Sequence, residues 1–161
     1  MRNIFFLLAT LLLLSCNDAI KYDKYKSIEN DSWNKDSLVT FSFNQKDLTS
    51  KYNIYIKIRN NQDYPYSNLF LIVTMENPTD NNLVDTLEYA MANENGKLLG
   101  SGFSSVKESI LIYKENFQFK NKGDHKIHIK HALRDLGKIE GKSKLEGVLD
   151  VGLQIEKIKN K

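Results

Sequence analysis

Three histidines spaced three apart, His125, His128 and His131, are the residues whose type and spacing come nearest to metal chemistry, since imidazole is a common ligand of zinc and copper. Their setting argues against it. Ile127 and Ile129 alternate there with lysines, which is the pattern of a strand, and successive side chains on a strand point to opposite faces. His125 and His131 then share a face with Ile127 and Ile129, while His128 points away with Lys126 and Lys130. Three ligands cannot converge. No second cysteine, HExxH string or Cys-His spacing accompanies them, so surface or rim histidines are expected, with no metal and no cofactor.

Other chemistries fare no better. Gly100-Ser101-Gly102 lies in a predicted hairpin strand and lacks the strained strand-to-helix turn of a hydrolase nucleophile. Asp85 and Asp150 are the carboxylates to inspect for acid-base work, but an acid beside a strand end more often caps a turn. No catalytic residue is assigned. Arg59 stands out because the chain has only three arginines among its 23 basic residues. Its planar donor fork suits a bidentate carboxylate, expected to be an internal one such as Asp85, with a partner contact as the competing role. Arg134 carries the same ambiguity. Tyr64-Pro65-Tyr66, followed by Asn68, sets two aromatics around a stiff turn, which serves either turn packing or a protein interface.

Cys16 is the single cysteine, so no disulfide forms within one molecule and the core alone must hold the fold. Before it, Arg2 supplies a positive start and Ile4 to Leu14 form an apolar run broken only by Thr10. A transmembrane helix needs about 20 apolar residues. The shorter run reads as a signal peptide over residues 1–15, and Leu13-Leu14-Ser15-Cys16 looks like a lipobox whose cysteine receives diacylglycerol. Several acyl chains hold a protein on a membrane without spanning it. Residues 16–37 then read as the lipidated cysteine and a tether that docks on the domain, with Trp33 packing against the fold rather than forming a binding platform.

Residues 38–161 must supply the scaffold. The 161 residues allow one ordinary domain, and a net charge of +3 without long like-charge runs gives no footprint for nucleic acid. Period two dominates: Val39, Phe41 and Phe43 alternate with polar neighbours, as do Tyr52, Ile54, Ile56 and Ile58. Leu69 to Val73 is apolar throughout, suggesting a central strand covered on both sides. Leu83 to Met91, the turn Asn95-Gly96 and a returning strand from Lys97 to Phe103 follow, with Gly100 and Gly102 marking a bulge or a close backbone approach. Strands around Ile110 to Tyr113, Phe117 to Phe119, Ile127 to Ile129 and Val148 to Ile155 bring the total to about nine. Ala132 to Leu136 resembles a helical turn, and Gly137 to Gly147 an exposed loop. The expectation is an all-β, antiparallel two-layer β-sandwich, of jelly-roll or immunoglobulin-like type.

These residues also carry a likeness. Tyr52-Asn53-Ile54, Ile58-Arg59-Asn60, Tyr64-Pro65-Tyr66-Ser67-Asn68-Leu69, Asp85-Thr86-Leu87-Glu88-Tyr89, Leu99-Gly100-Ser101-Gly102, Phe117-Gln118-Phe119 and Asp150-Val151-Gly152-Leu153 occur in this order. With them the chain resembles the GldH family of gliding motility lipoproteins, from about Phe41 to Glu156. His131 and Leu133 flank Ala132 where that family often shows glutamine and methionine. The resemblance implies a cell-envelope lipoprotein of Bacteroidota, needed for surface gliding and associated with the type IX secretion machinery; it brings no catalytic residues. The function expected is a noncatalytic one, with membrane lipid reached through acylated Cys16 and other envelope proteins as partners. Tyr64, Pro65, Tyr66, Asn68 and Arg59 are the candidate contacts. The absence of a dense acidic run after Cys16 suggests an outer-membrane site facing the periplasm. A carbohydrate-binding module is the alternative, and it requires Tyr55, Tyr64, Tyr66 and Tyr113 to be exposed and coplanar.

Overall fold

The computed structural model describes residues 19–79, 82–102, 104–134, 137 and 140–159; Cys16 and residues 1–15, the expected signal peptide, lie outside them. Ten strands occur among the described residues: β1 (Ile20–Ser27), β2 (Ser32–Asn34), β3 (Val39–Gln45), β4 (Tyr52–Asn60), β5 (Asn68–Glu76), β6 (Leu83–Ala90), β7 (Lys107–Phe117), β8 (Gly123–His131), β9 (Lys144–Glu146) and β10 (Val148–Lys157). Their pairing is nested. β5 pairs with β6, β4 with β7, β3 with β8, β2 with β9 and β1 with β10, all antiparallel. The chain is thus one long hairpin. Two further pairings, β10 with β4 and β8 with β5, roll it into four-stranded sheets ordered β1-β10-β4-β7 and β3-β8-β5-β6. This is the double Greek key of a jelly roll, so of the two sandwich types expected the immunoglobulin-like one falls away.

Alternation builds the core. Ile54, Ile56 and Ile58 of β4, with Val151, Leu153 and Ile155 of β10, face Leu71, Val73 and Met75 of β5 and Ile127 and Ile129 of β8, all essentially without exposure. Each such side chain removed from water stabilises the fold by roughly 1.5–3 kcal/mol. β5 is central, as expected, but it is not covered on both sides. Its burial alternates strictly, leaving Phe70 and Ile72 half-buried on the outer face.

The sandwich also begins earlier than residue 38. β1, placed in the expected tether, is an edge strand hydrogen-bonded along β10. Only Tyr22 and Tyr25 of it are even half-buried, because an edge strand meets the core along one margin, and its apolar alternation is correspondingly faint. Trp33 of β2 is fully buried and pairs with Leu145 of β9, with its indole N–H donating to Ser37 O at 3.1 Å. The loop from Gly137 to Gly147, expected to be exposed, therefore contains a strand and a core leucine. Lys97 to Phe103 is not a returning strand: only the isolated bridges Ala92 with Leu98 and Ser101 with Glu108 form, and Phe103 lies outside the described residues. The backbone is the reason. At Gly100, with φ +93°, a Cβ would lie 2.5 Å from Glu108 O, so the segment crosses β7 closely, as the two glycines suggested. Ala132 and Leu133 are irregular and Arg134 bridges Gly141; Asp135 and Leu136 lie outside the described residues.

Candidate functional site

The outer face of the β1-β10-β4-β7 sheet carries the most organised side-chain cluster outside the core. Register aligns Ser27, Asp150, Arg59 and Glu108 in one row across the four strands, Tyr25, Gly152, Lys57 and Ile110 in the next, and Asp23, Gln154, Tyr55 and Ile112 in the third. Gly152 makes the cluster possible. A Cβ there would lie 2.7 Å from the Tyr25 ring, so its absence lets Tyr25 lie across β10, and its hydroxyl donates to Glu108 Oε2 at 2.7 Å. The Arg59 guanidinium sits 4.0 Å from the centre of that ring and its Nε donates to the same Glu108 oxygen at 2.6 Å. Lys57, at 6% exposure, is 4.8 Å from the ring centre and donates to both Asp23 oxygens at 2.9 and 3.0 Å.

Electrostatics favour the charged forms of Glu108 and Lys57. Burial works to raise the Glu108 carboxyl, but the Tyr25 hydroxyl and Arg59 together hold it below its ordinary value. Burial likewise disfavours charge on Lys57, and Asp23 with Tyr25 overcomes it and holds the ammonium above its ordinary value. Stacked, charge-assisted contacts of this kind fix long side chains in advance of any encounter. Beside them Ile110 is 55% and Ile112 48% exposed. Two isoleucines at i and i+2 stand about 7 Å apart on a flat sheet, next to Tyr55, Tyr25 and Arg59. Apolar side chains bordered by tyrosine and arginine have the composition of the centre of a protein interface.

Arg59 thus finds a carboxylate other than the one expected. Asp85 lies on β6 of the opposite sheet, where it accepts from Tyr113 Oη and Lys114 Nζ, each at 2.9 Å; Arg59 faces Glu108 and, at 3.8 Å, Asp150. The Tyr64 turn is corrected as well. Tyr64 is 4% exposed and packs in the core, its hydroxyl donating to Asn68 O at 2.7 Å, with burial pushing its ionisation well up. The ring pins the turn and is withdrawn from any partner. Pro65 is exposed, Tyr66 half-buried, and Asn68 Nδ2 donates to Glu88 Oε1 at 2.9 Å. Tyr113 is also buried, so the four tyrosines make no coplanar platform and the carbohydrate-binding alternative loses its required feature.

Tyr25, Lys57, Glu108, Ile110 and Ile112 were missed. In the run Ile110 to Tyr113 both faces of the strand are apolar, so periodicity alone cannot say which pair points out. Register supplies that. Two of the histidines are not at the surface: His125 and His131 are buried, while His128 faces away from them, half-buried on the outer side of its sheet. His125 stacks on Phe43 with planes 10° apart and its Nε2 donates to Asn121 O at 3.0 Å. His128 lies 2.8 Å from Thr40 Oγ1 and 2.9 Å from Glu76 Oε1. No group of three metal-ligating side chains forms among the described residues.

His131 donates from Nε2 to Trp33 O at 2.9 Å, and burial lowers its pKa below the ordinary 6.5 although that bond opposes the shift. The native imidazole then stays neutral where the unfolded chain takes up a proton. Stability present above about pH 6.5 should fall as pH drops through that value. Melting temperatures measured from about pH 7.5 to about pH 5.5 should decline, and His131→Gln should flatten the decline. An unchanged slope would exclude His131 as its source.

The GldH lipoprotein family model matches residues 20–155, from the start of β1 to within two residues of the end of β10. A gliding motility lipoprotein GldH from Flavobacterium johnsoniae is 51% identical over 150 residues, covering 93% of this chain and 92% of the relative. A GldH homolog from Christiangramia forsetii is 47% identical over 155 residues, covering 96% and 94%. Among solved structures, a 4-O-methyl-alpha-glucuronidase specific for decorated arabinogalactans aligns with a TM-score of 0.41 at 12% identity, over 89% of this chain and 18% of its own. A match that takes in every strand of both sheets, with about half of all positions shared with two gliding motility lipoproteins, means that the chain belongs to the GldH lipoprotein family.

Proposed function

We propose that this gliding motility lipoprotein is noncatalytic, that it is held through acylated Cys16 on the periplasmic face of the outer membrane, and that it supports the gliding and secretion apparatus by docking another envelope protein. The docking surface is the outer face of the β1-β10-β4-β7 sheet around Ile110 and Ile112. One observation carries this reading: two half-exposed isoleucines lie beside the pre-ordered Tyr25, Arg59 and Glu108 cluster. Covering their remaining exposed area would contribute about 1 kcal/mol each, and the ordered arginine and tyrosine lose little freedom when a partner arrives.

The test is cross-linking in living cells that carry a tagged copy, followed by mass spectrometry of what is enriched over an unrelated tagged lipoprotein. Enrichment of gliding or secretion components supports the reading; recovery of lipid and cell-wall material alone ends it. Cys16→Ser checks the anchor separately. The variant is expected to leave the membrane pellet for the soluble fraction and to lose fatty-acid labelling. Retention in the pellet with label would exclude Cys16 as the anchor.

A further inference from the structure

The two ends of the sandwich differ in charge. At the end where β1 begins, the β3–β4 loop presents Lys46 and Lys51, the β7–β8 loop Lys120 and Lys122, and the segment after β10 Lys159, all exposed. Asp47 of the same end is occupied by Lys157 at 2.9 Å, which leaves Glu115 and Asp124 as its exposed carboxylates among the described residues. The opposite end is acidic. Glu29, Asp31, Asp36, Asp63, Glu94 and Glu146 are exposed there, against the lysines Lys35, Lys97 and Lys144 and the arginine Arg134.

Chain geometry relates this asymmetry to the anchor. Ala19 is already buried, at 7% exposure, its carbonyl accepts from Lys157 N at 2.7 Å, and β1 starts at the next residue. Only Asn17 and Asp18 separate it from Cys16, and three residue steps span at most about 10 Å. A lipid on Cys16 therefore has little slack. It keeps Ala19 within about 10 Å of the anchored cysteine, so the lysine-bearing end is the part of the sandwich nearest the headgroups, where a positive surface is attracted to anionic lipid.

We infer that the end of the sandwich carrying Lys46, Lys51, Lys120, Lys122 and Lys159 rests on an anionic lipid surface, so that the strands stand up from the membrane and the acidic end points away. The inference depends on the Cys16 anchor of the proposed function, and one experiment separates the two. The acylated chain, purified from membranes, is floated with vesicles of phosphatidylcholine alone or of equal parts phosphatidylcholine and phosphatidylglycerol, and the acylation rate of each lysine by a water-soluble ester is read by mass spectrometry. Lys51, Lys120 and Lys122 should react about tenfold more slowly on the anionic vesicles than in detergent, while Lys97 and Lys144 at the far end are unchanged. Flotation with Lys51, Lys120 and Lys122 as reactive on the anionic vesicles as in detergent overturns the orientation and leaves the anchor standing. Failure to float on either vesicle removes the anchor and the orientation with it.

Discussion

A chain carrying Ile110→Asp and Ile112→Asp is expected to fold and to lose the envelope partner proposed for this face. Both side chains stand on the outer face of the edge strand β7, so their removal opens no cavity. The cost is part of their half-buried area and the poor strand propensity of aspartate, together about 1–3 kcal/mol, which a domain of ordinary stability tolerates. Binding is affected far more. Two carboxylates pressed into an apolar contact must shed water without a partner, and such desolvation costs several kcal/mol per charge. Capture of envelope partners should fall by about a thousandfold or more, and gliding with it. Val84→Asp supplies the control, since Val84 is 65% exposed on the outer face of the other sheet and its substitution should leave capture intact. Undiminished capture by the double variant would exclude this face as the docking surface.

The largest loss of stability is expected from Gly147→Ala, although the change adds one methyl group. Gly147 joins β9 to β10 at φ +78°, and a Cβ there would overlap Tyr64 N and lie 2.6 Å from Asp63 C. Its own amide donates to Asp31 O at 2.8 Å, and its carbonyl accepts from Asn61 N at 2.9 Å. Three loops meet at this residue, so the clash is with backbone that cannot turn aside. Gly96→Ala isolates the conformational part. Gly96 has nearly the same φ, +75°, and nothing within 4 Å of the added atom, so it should cost about 1 kcal/mol. Gly147→Ala should cost about 3–5 kcal/mol. Denaturant midpoints of the two variants decide the matter; similar shifts would mean that the close approach carries no energy.

The fold was legible where a strand has one buried face. Ile54, Ile56 and Ile58 declare β4 because polar residues alternate with them, and the same holds for Val39 and Phe41 in β3. Legibility failed at the margins of the sheets. β1 shows little apolar alternation because an edge strand needs little, and β2 and β9 are too short for any period to appear, although each places a buried side chain, Trp33 and Leu145. The candidate site failed for a different reason. Arg59 was singled out by its chemistry, but which carboxylate it meets depends on which strands become neighbours, and no local pattern records that β4 lies beside β7. Tyr64 misled in the other direction. An aromatic next to proline in a turn has the look of a surface projection, yet its hydroxyl reaches Asn68 O within its own turn and draws the ring inward.

The nested pairing also sets an order of assembly. The β5–β6 hairpin closes over the few residues between Glu76 and Leu83, whereas the contact between Ser27 and Asp150 joins residues 123 apart in sequence. Loop-closure entropy favours the short closures first, and long-range strand pairing is slow. The roll therefore zips from its middle outward, and the first strand waits for the last. β10 lies between β1 and β4, so until its residues arrive β1 has no neighbour to pair with. An anchor on Cys16 would thus be attached beside the strand that is the last to find its neighbour.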